Sequence, residues 1–528
     1  MDIIIKNGKI VDGTGNPWYF GEIGIRKDRI SLIKKDIEEE IDLVINAQGK
    51  IVCPGFIDAH THSDLAAITN KTASNYITQG VTTNVIGNCG WTAAPLDPNT
   101  VEDLLSLVAP DIKTDLTKLW KGFGTFLDFL DKTRFTINLV PLVGHGTLRI
   151  AVMGLEKREP DNIEMHKMKK LVKDSMNAGA FGISAGLEYM PGIFTKPQEL
   201  IELCKIVASY NGVFTIHTRD EGDLGKEAID EAIYIAENAN ISLQISHLKL
   251  DGKNNWGKAE QRLHQLEKGR DNGVDVTTDL YPYTYCMTNL HALLPDWLFQ
   301  EGIENVKKAL MDQEIRDKLR EYYKNGTSML APSTPEDWDN VILVNATSLK
   351  YKNKSLLQIS REFKIDILDA MHEVINSEGL AMLVVLECMN EDDVHTFAKH
   401  PLSMVGSDGG VSDEDNDKIH PRYYGTYPRY LKRFVFENKI LRLEEAIRKM
   451  TSFPANKFGI KDRGLLKEGF YADITIFDPA KIRDNATLQK PNKFSEGIEY
   501  VIINGKIVLD NGKIKRKYPG RVLRKRQP

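Results

Sequence analysis

The sequence predicts an α/β chain: a (β/α)8 TIM-like barrel, a small β-sandwich domain built from both chain ends, and a helical insertion after the seventh barrel strand. Three observations predict it. Eight short apolar runs alternate with helix-like segments through the middle of the chain, the grammar of a parallel sheet covered by helices. The two ends read instead as strands punctuated by Gly, Asn and Asp, and the NGKIV of residues 7–11 returns near the C-terminus. The length of 528 residues with 41% hydrophobic content allows one large core and a satellite.

The first part of the small domain, residues 1–54, holds the alternating runs DIIIKNGKIVDG, FGEIGIRKDRISLIKK and DLVINAQGKIVCPG. The barrel is assigned to 55–457, with candidate strands GFIDAH, TTNVIGN, INLVPLVG, AFGISAG, GVFTIHT, ISLQISH, GVDVTTD and SMVGSD. Between the third and fourth, a helix over 161–178 should start at Asp161, carry Ile163, Met165, Met168, Leu171 and Met176 among lysines, and stop before Gly179. The insertion, about 286–380, should contain helices such as 303–323 and 355–376 and act as a lid or pocket wall. Residues 458–528, with GYADITIFDP and EYVIINGKIVLDNGKI, complete the small domain.

Composition narrows the partners. A net charge of -5 gives no general attraction to nucleic acid or anionic membrane. The last sixteen residues carry eight Lys or Arg and no acid, and read as solvated surface. The start MDIIIKNGKIVDGTG lacks a basic segment followed by an apolar one, and no long uncharged apolar window occurs, so a cytoplasmic protein is expected. Five scattered cysteines argue against a disulfide framework. The expected partner is a small-molecule substrate; oligomeric state is left open.

Barrel chemistry belongs at the C-terminal ends of the strands. His60 and His62 stand two apart at the first such end and therefore share a strand face. Cys89 follows the second strand, His217 ends the fifth, His247 the sixth and Asp408 the eighth. A lone strand-end histidine is usually structural and a lone buried cysteine a small hydrophobe. Four of only 12 histidines at converging ends, beside a thiol and a carboxylate, instead make a divalent-metal site.

These residues sit in PGFIDAHTHSD, GVTTNVIGNCG, LVGHGTLR, GLEYMPG, HTRDEGD, ISHLK, DLYPYT, MVGSDGG, HPRYYGTYPR and YADITIFDP. Nearly the whole chain thereby resembles the amidohydrolase superfamily, and within it the N-acyl-D-amino-acid deacylases, or D-aminoacylases. Cys89 follows His62 by 27 positions and His247 follows His217 by 30, in agreement with that family. Many binuclear amidohydrolases bridge their metals with a carboxylated strand-four lysine; GAFGISAGLEYMPG has none. By resemblance, Cys89, His217 and His247 hold a tight Zn2+, while His60, His62 and Asp408, with Cys89 shared, frame a weaker second site.

The resemblance implies zinc-dependent hydrolysis of the amide of N-acyl-D-amino acids. Metal-bound hydroxide attacks the carbonyl, with Asp408 as general base and then acid. It also gives Tyr189, Lys249, Tyr281 and Arg422 to the substrate carboxylate, a role suited to Arg422, which can meet a carboxylate with two parallel hydrogen bonds. His145, Arg149, Arg219, Glu221 and His420 are expected in supporting positions. Glu188, Met190, His291 and the leucines of CMTNLHALLPDWLFQ, with Trp297, should border the side-chain pocket and favour hydrophobic D-residues. Rival readings are hydrolysis of a cyclic amide or isoaspartyl dipeptide, and a non-catalytic scaffold of the same fold; the absent lysine opposes the first and the complete ligand set the second.

Overall fold

The computed structural model describes residues 1–39, 42–65, 70–108, 112, 114–299, 303–324, 332, 334–379 and 382–525. Each of the eight apolar runs contains a strand. Phe56–Asp58, Val81–Ile86 and Asn138–Pro141 pair in parallel. Val143–Gly144, Gly182–Gly186, Val213–His217, Ser242–Ile245, Val276–Leu280 and Ser403–Val405 form a second parallel sheet in chain order. The first and last runs also touch: Ala59 N donates to Val405 O at 3.3 Å, His62 N donates to Gly409 O at 2.7 Å, and Thr61 bridges Gly409. Strands buried on both faces explain the near-continuous apolar runs.

The helix expected before the fourth strand spans Asn162–Ala178. The Asp161 carboxylate accepts from the Ile163 and Glu164 amides at 2.8 Å, and Gly179, at φ 111, ends the helix where a Cβ would be strained. Its buried face is Met168, Val172, Ser175 and Met176, while Ile163, expected on that face, is 67% exposed.

Segments from both chain ends pair in one nine-stranded sheet that begins with Lys513–Ile514 and ends with Arg29–Lys34. Its core includes Ile3, Ile5, Ile23, Ile25, Val52, Ile474 and Ile502. A buried polar joint ties it to the parallel sheet: Asp473 accepts from Arg463 and, at 3.2 Å, from Asn138 Nδ2. The basic tail is ion-paired as well as solvated, since Arg521 meets Asp28 at 2.8 Å and Arg524 meets Asp128 and Asp131 at 2.8 Å. Arg526 lies outside the described residues.

The insertion departs from expectation. Both long helices divide, into Ile303–Ala309 with Gln313–Lys324 and into Leu356–Phe363 with Ile367–Glu378. Aspartates make the breaks: Asp312 accepts from Ile315 N at 3.1 Å and Asp366 from Asp369 N at 2.9 Å, starting new helices mid-run. Tyr285–Asn289, Ile342–Leu343 and Leu383–Glu387 also form a small antiparallel sheet that the apolar pattern did not reveal. Among the described residues no helix is long and apolar enough to cross a membrane.

Candidate metal centre

The loop after Val81–Ile86 turns on Gly87, Cys89 and Gly90, all at positive φ, which swings the Cys89 thiol inward. Its Sγ lies 3.3 Å from His60 Nε2, 3.7 Å from His217 Nδ1 and 3.5 Å from His247 Nε2. His217 reaches the group as the last residue of its strand, while His247, at φ 34, follows a strand ending at Ile245. Beside them, His62 Nε2 is 3.0 Å and His60 Nε2 3.6 Å from Asp408 Oδ1. All six expected ligands therefore converge.

Burial penalises the Cys89 thiolate, yet the imidazoles of His60 and His247 outweigh it and hold the thiol well below its usual range. Burial likewise opposes ionised Asp408, but Arg422, with Nη1 2.9 Å from Oδ2, and the imidazoles keep that carboxyl well below the ordinary range.

The far nitrogen of each inner imidazole meets a carboxylate. Glu188 Oε2 is 2.5 Å from His217 Nε2, Glu221 Oε1 is 3.0 Å from His247 Nδ1, and Asp279 Oδ1 is 3.4 Å from His60 Nδ1. Such outer contacts fix ring orientation and tautomer. Glu221 supports the site as expected; Glu188 meets a ring nitrogen rather than bordering only a side-chain pocket, and Asp279, near the end of Val276–Leu280, carries no signal in the sequence motifs beyond its place where barrel chemistry collects.

The remaining predicted residues divide. Tyr189 and Arg422 line the cavity of about 340 Å³ that contains His62, Cys89, His217, His247 and Asp408. Lys249 is not among its lining residues; its Nζ donates to Glu221 Oε2 at 2.5 Å, so its charge is already engaged. Tyr281 lies under the Arg422 guanidinium, 4.8 Å from its carbon, with a buried hydroxyl that finds no hydrogen bond among the described residues. Met190 and His291 line the cavity, together with Met287, Thr288, Asn289 and Leu383. Leu290, Leu293, Leu294 and Leu298, expected in the pocket wall, belong to the core, because the short helical turns after the Tyr285–Asn289 strand face them inward. His145 and Arg149 share the buried Glu199, Arg219 pairs with Glu231, and His420 Nδ1 accepts from Arg422 N at 2.9 Å.

Comparison with known proteins agrees with this architecture. A model described as Amidohydrolase family matches residues 43–328 and 371–509. The chain is 32% identical to N-acyl-D-glutamate deacylase of Alcaligenes xylosoxydans xylosoxydans, over 99% of this chain and 97% of that protein. It is 30% identical to D-aminoacylase of the same organism, over 99% and 97%. A crystal structure of N-acyl-D-glutamate deacylase from Bordetella bronchiseptica, complexed with zinc and a phosphonate inhibitor that mimics the tetrahedral intermediate, superposes with a TM-score of 0.84 at 31% identity, covering 99% of each chain. With its strand-end donors and its full-length relatives in accord, the chain belongs to the amidohydrolase family, in the branch of the N-acyl-D-amino-acid deacylases.

Proposed function

We propose that the chain hydrolyses the amide bond of N-acyl-D-amino acids with zinc, releasing a carboxylate and a free D-amino acid. One observation carries the proposal: the Cys89 thiol lies 3.3 to 3.7 Å from the imidazoles of His60, His217 and His247, which come from distant segments. Ligand bonds of about 2.3 Å to thiolate and about 2.0 Å to imidazole, at a tetrahedral angle, put donor atoms about 3.5 Å apart, so the set fits zinc. Cys89, His217 and His247 would hold the tight ion, and His60, His62 and Asp408 would offer donors to a weaker one beside it. The chemistry zinc supplies when bound is acidification of water and polarisation of the amide carbonyl.

Asp408 takes the proton of the attacking water and returns it to the departing amine nitrogen. Arg422 on its second oxygen fixes the carboxylate's orientation. Of the four residues expected at the substrate carboxylate, Arg422 and Tyr189 line the cavity and receive it, while Tyr281, stacked under Arg422, and Lys249, held by Glu221, support them from outside the lining. The two parallel sheets are read as one closed eight-stranded barrel over 55–457, sealed by the contacts between the first and last runs. The sheet from 1–54 and 458–528 is read as a curled sandwich beside it.

The test is a panel of N-acetyl amino acids in both enantiomers, run on protein of measured zinc content. Turnover confined to D-enantiomers and proportional to zinc is expected. Turnover of L-enantiomers, or of neither, would overturn the proposal.

A further inference from the structure

The cavity extends well beyond the ligands. Trp91 follows Cys89 by two residues, and the wall also contains Leu65, Leu104, Leu105, Leu107, Val108 and Leu116. The helix Val101–Val108 supplies four of these, Leu104, Leu105, Leu107 and Val108, whereas Glu102 and Ser106 are exposed. A helical apolar stripe ordinarily packs on a core; part of this one lines a cavity that continues to Cys89 and His247. The loop that carries Trp91 is pinned, since Trp120 Nε1 donates to Ala93 O at 2.6 Å. Asp64, the acid bordering this wing, accepts from Gly87 N at 3.1 Å.

The wing and the cation of the cavity come from different sheets: Trp91, two residues past Cys89, follows a strand of the three-stranded parallel sheet, whereas Arg422 follows Ser403–Val405 of the six-stranded one. A substrate amide beside Cys89 with its carboxylate on Arg422 would leave the apolar wall of Trp91 and Leu105 for its acyl group. We propose that this wing is an acyl-chain subsite for unbranched alkanoyl groups of medium length, so that the substrates are N-alkanoyl rather than N-acetyl D-amino acids. The inference rests on the amide-hydrolase reading above and adds the acyl partner to it.

Each methylene moved from water onto an apolar wall favours binding about fourfold. Two well-buried methylenes therefore suffice for a clear preference. The test compares kcat/KM for the N-acetyl and N-octanoyl conjugates of one D-amino acid, below the micelle threshold, with zinc content measured. The octanoyl conjugate should be favoured at least about tenfold. Leu105→Trp, which fills the wing, should bring the octanoyl-to-acetyl ratio down about tenfold, while Leu105→Ile should leave the preference in place. Both substitutions are read as ratios, so loss of folded protein cancels. Equal rates for the two conjugates, or a ratio unmoved by Leu105→Trp, would overturn the acyl subsite alone. No turnover of either conjugate by zinc-loaded protein would overturn the hydrolase reading, and the subsite with it.

Discussion

Cys89 Sγ and His247 Nε2 approach to 3.5 Å while both backbones are held in the left-handed region, at φ 51 and φ 34. A non-glycine residue in that region costs roughly 1–3 kcal/mol, and such strain persists where the surroundings over-determine it, commonly at functional sites. Asp408, at φ 50, shares the feature. The strain sits where three strand ends must turn their donors toward one point. Cys89→Ala should therefore remove the tight zinc, as read by metal analysis. In metal-free protein Cys89→Gly should unfold at higher urea than Cys89→Ala, by about 1 kcal/mol, because glycine adopts φ 51 without a Cβ penalty. Full zinc in Cys89→Ala would dismiss the thiolate ligand.

Asp408→Asn preserves shape and leaves an oxygen for the Arg422 guanidinium, now 2.9 Å from Oδ2. It removes the group that can hold a proton between water and amine. Zinc in the tight site should stay and kcat should drop at least about a hundredfold, within the usual range for a lost acid–base group. A variant that retains most of its turnover with stoichiometric zinc would take Asp408 out of the reaction.

Much of this centre was legible because ligands at strand ends are periodic signals. His60 and His62 stand two apart just past the strand Phe56–Asp58, on either side of the Thr61 bridge to Gly409, and His217 and His247 end two apolar runs. The helix starting after Asp161 was equally plain, since a capping box and a terminal glycine are local chemistry. The insertion was not legible. Its breaks depend on aspartates capping backbone amides, and the strand in MLVVLEC is paired by Tyr285–Asn289 and Ile342–Leu343, both distant in sequence. Asp279 escaped notice for a similar reason: its partner His60 is distant in sequence, and only the folded sheet brings them within 3.4 Å. The leucines of 290–298 illustrate the ambiguity of apolar runs, which look alike whether they line a cavity or fill a core.

Glu221 joins an imidazole and an ammonium group, with Oε1 3.0 Å from His247 Nδ1 and Oε2 2.5 Å from Lys249 Nζ. Burial alone would push its carboxyl up, but Lys249 and the two imidazoles keep it far below the usual carboxylate range. It acts as a positioning residue, fixing the His247 ring so that Nε2 faces Cys89. Glu221→Gln should weaken zinc binding by about 10- to 100-fold in a chelator competition. Unaltered affinity would mean that the ring is held by packing alone.

The buried trio of Glu199, His145 and Arg149 offers a pH test away from the metal. Glu199 Oε2 accepts from Arg149 Nη1 at 2.6 Å and Oε1 lies 2.7 Å from His145 Nε2. Burial pushes the Glu199 carboxyl up, yet these partners hold it below its ordinary value. A carboxyl lowered on folding contributes stability that is complete above its unfolded pKa of about 4.3 and is lost as pH falls through the folded value. Glu199→Gln leaves the fully buried Arg149 without its counter-charge, so it should cost roughly 3–5 kcal/mol at pH 7 by urea unfolding. The gap between the two proteins should narrow as pH is lowered below about 4.3, because the wild-type carboxyl takes up a proton in the unfolded chain before it does in the folded one. A gap that stays constant across that range would show that the variant loses packing rather than an ionic contact.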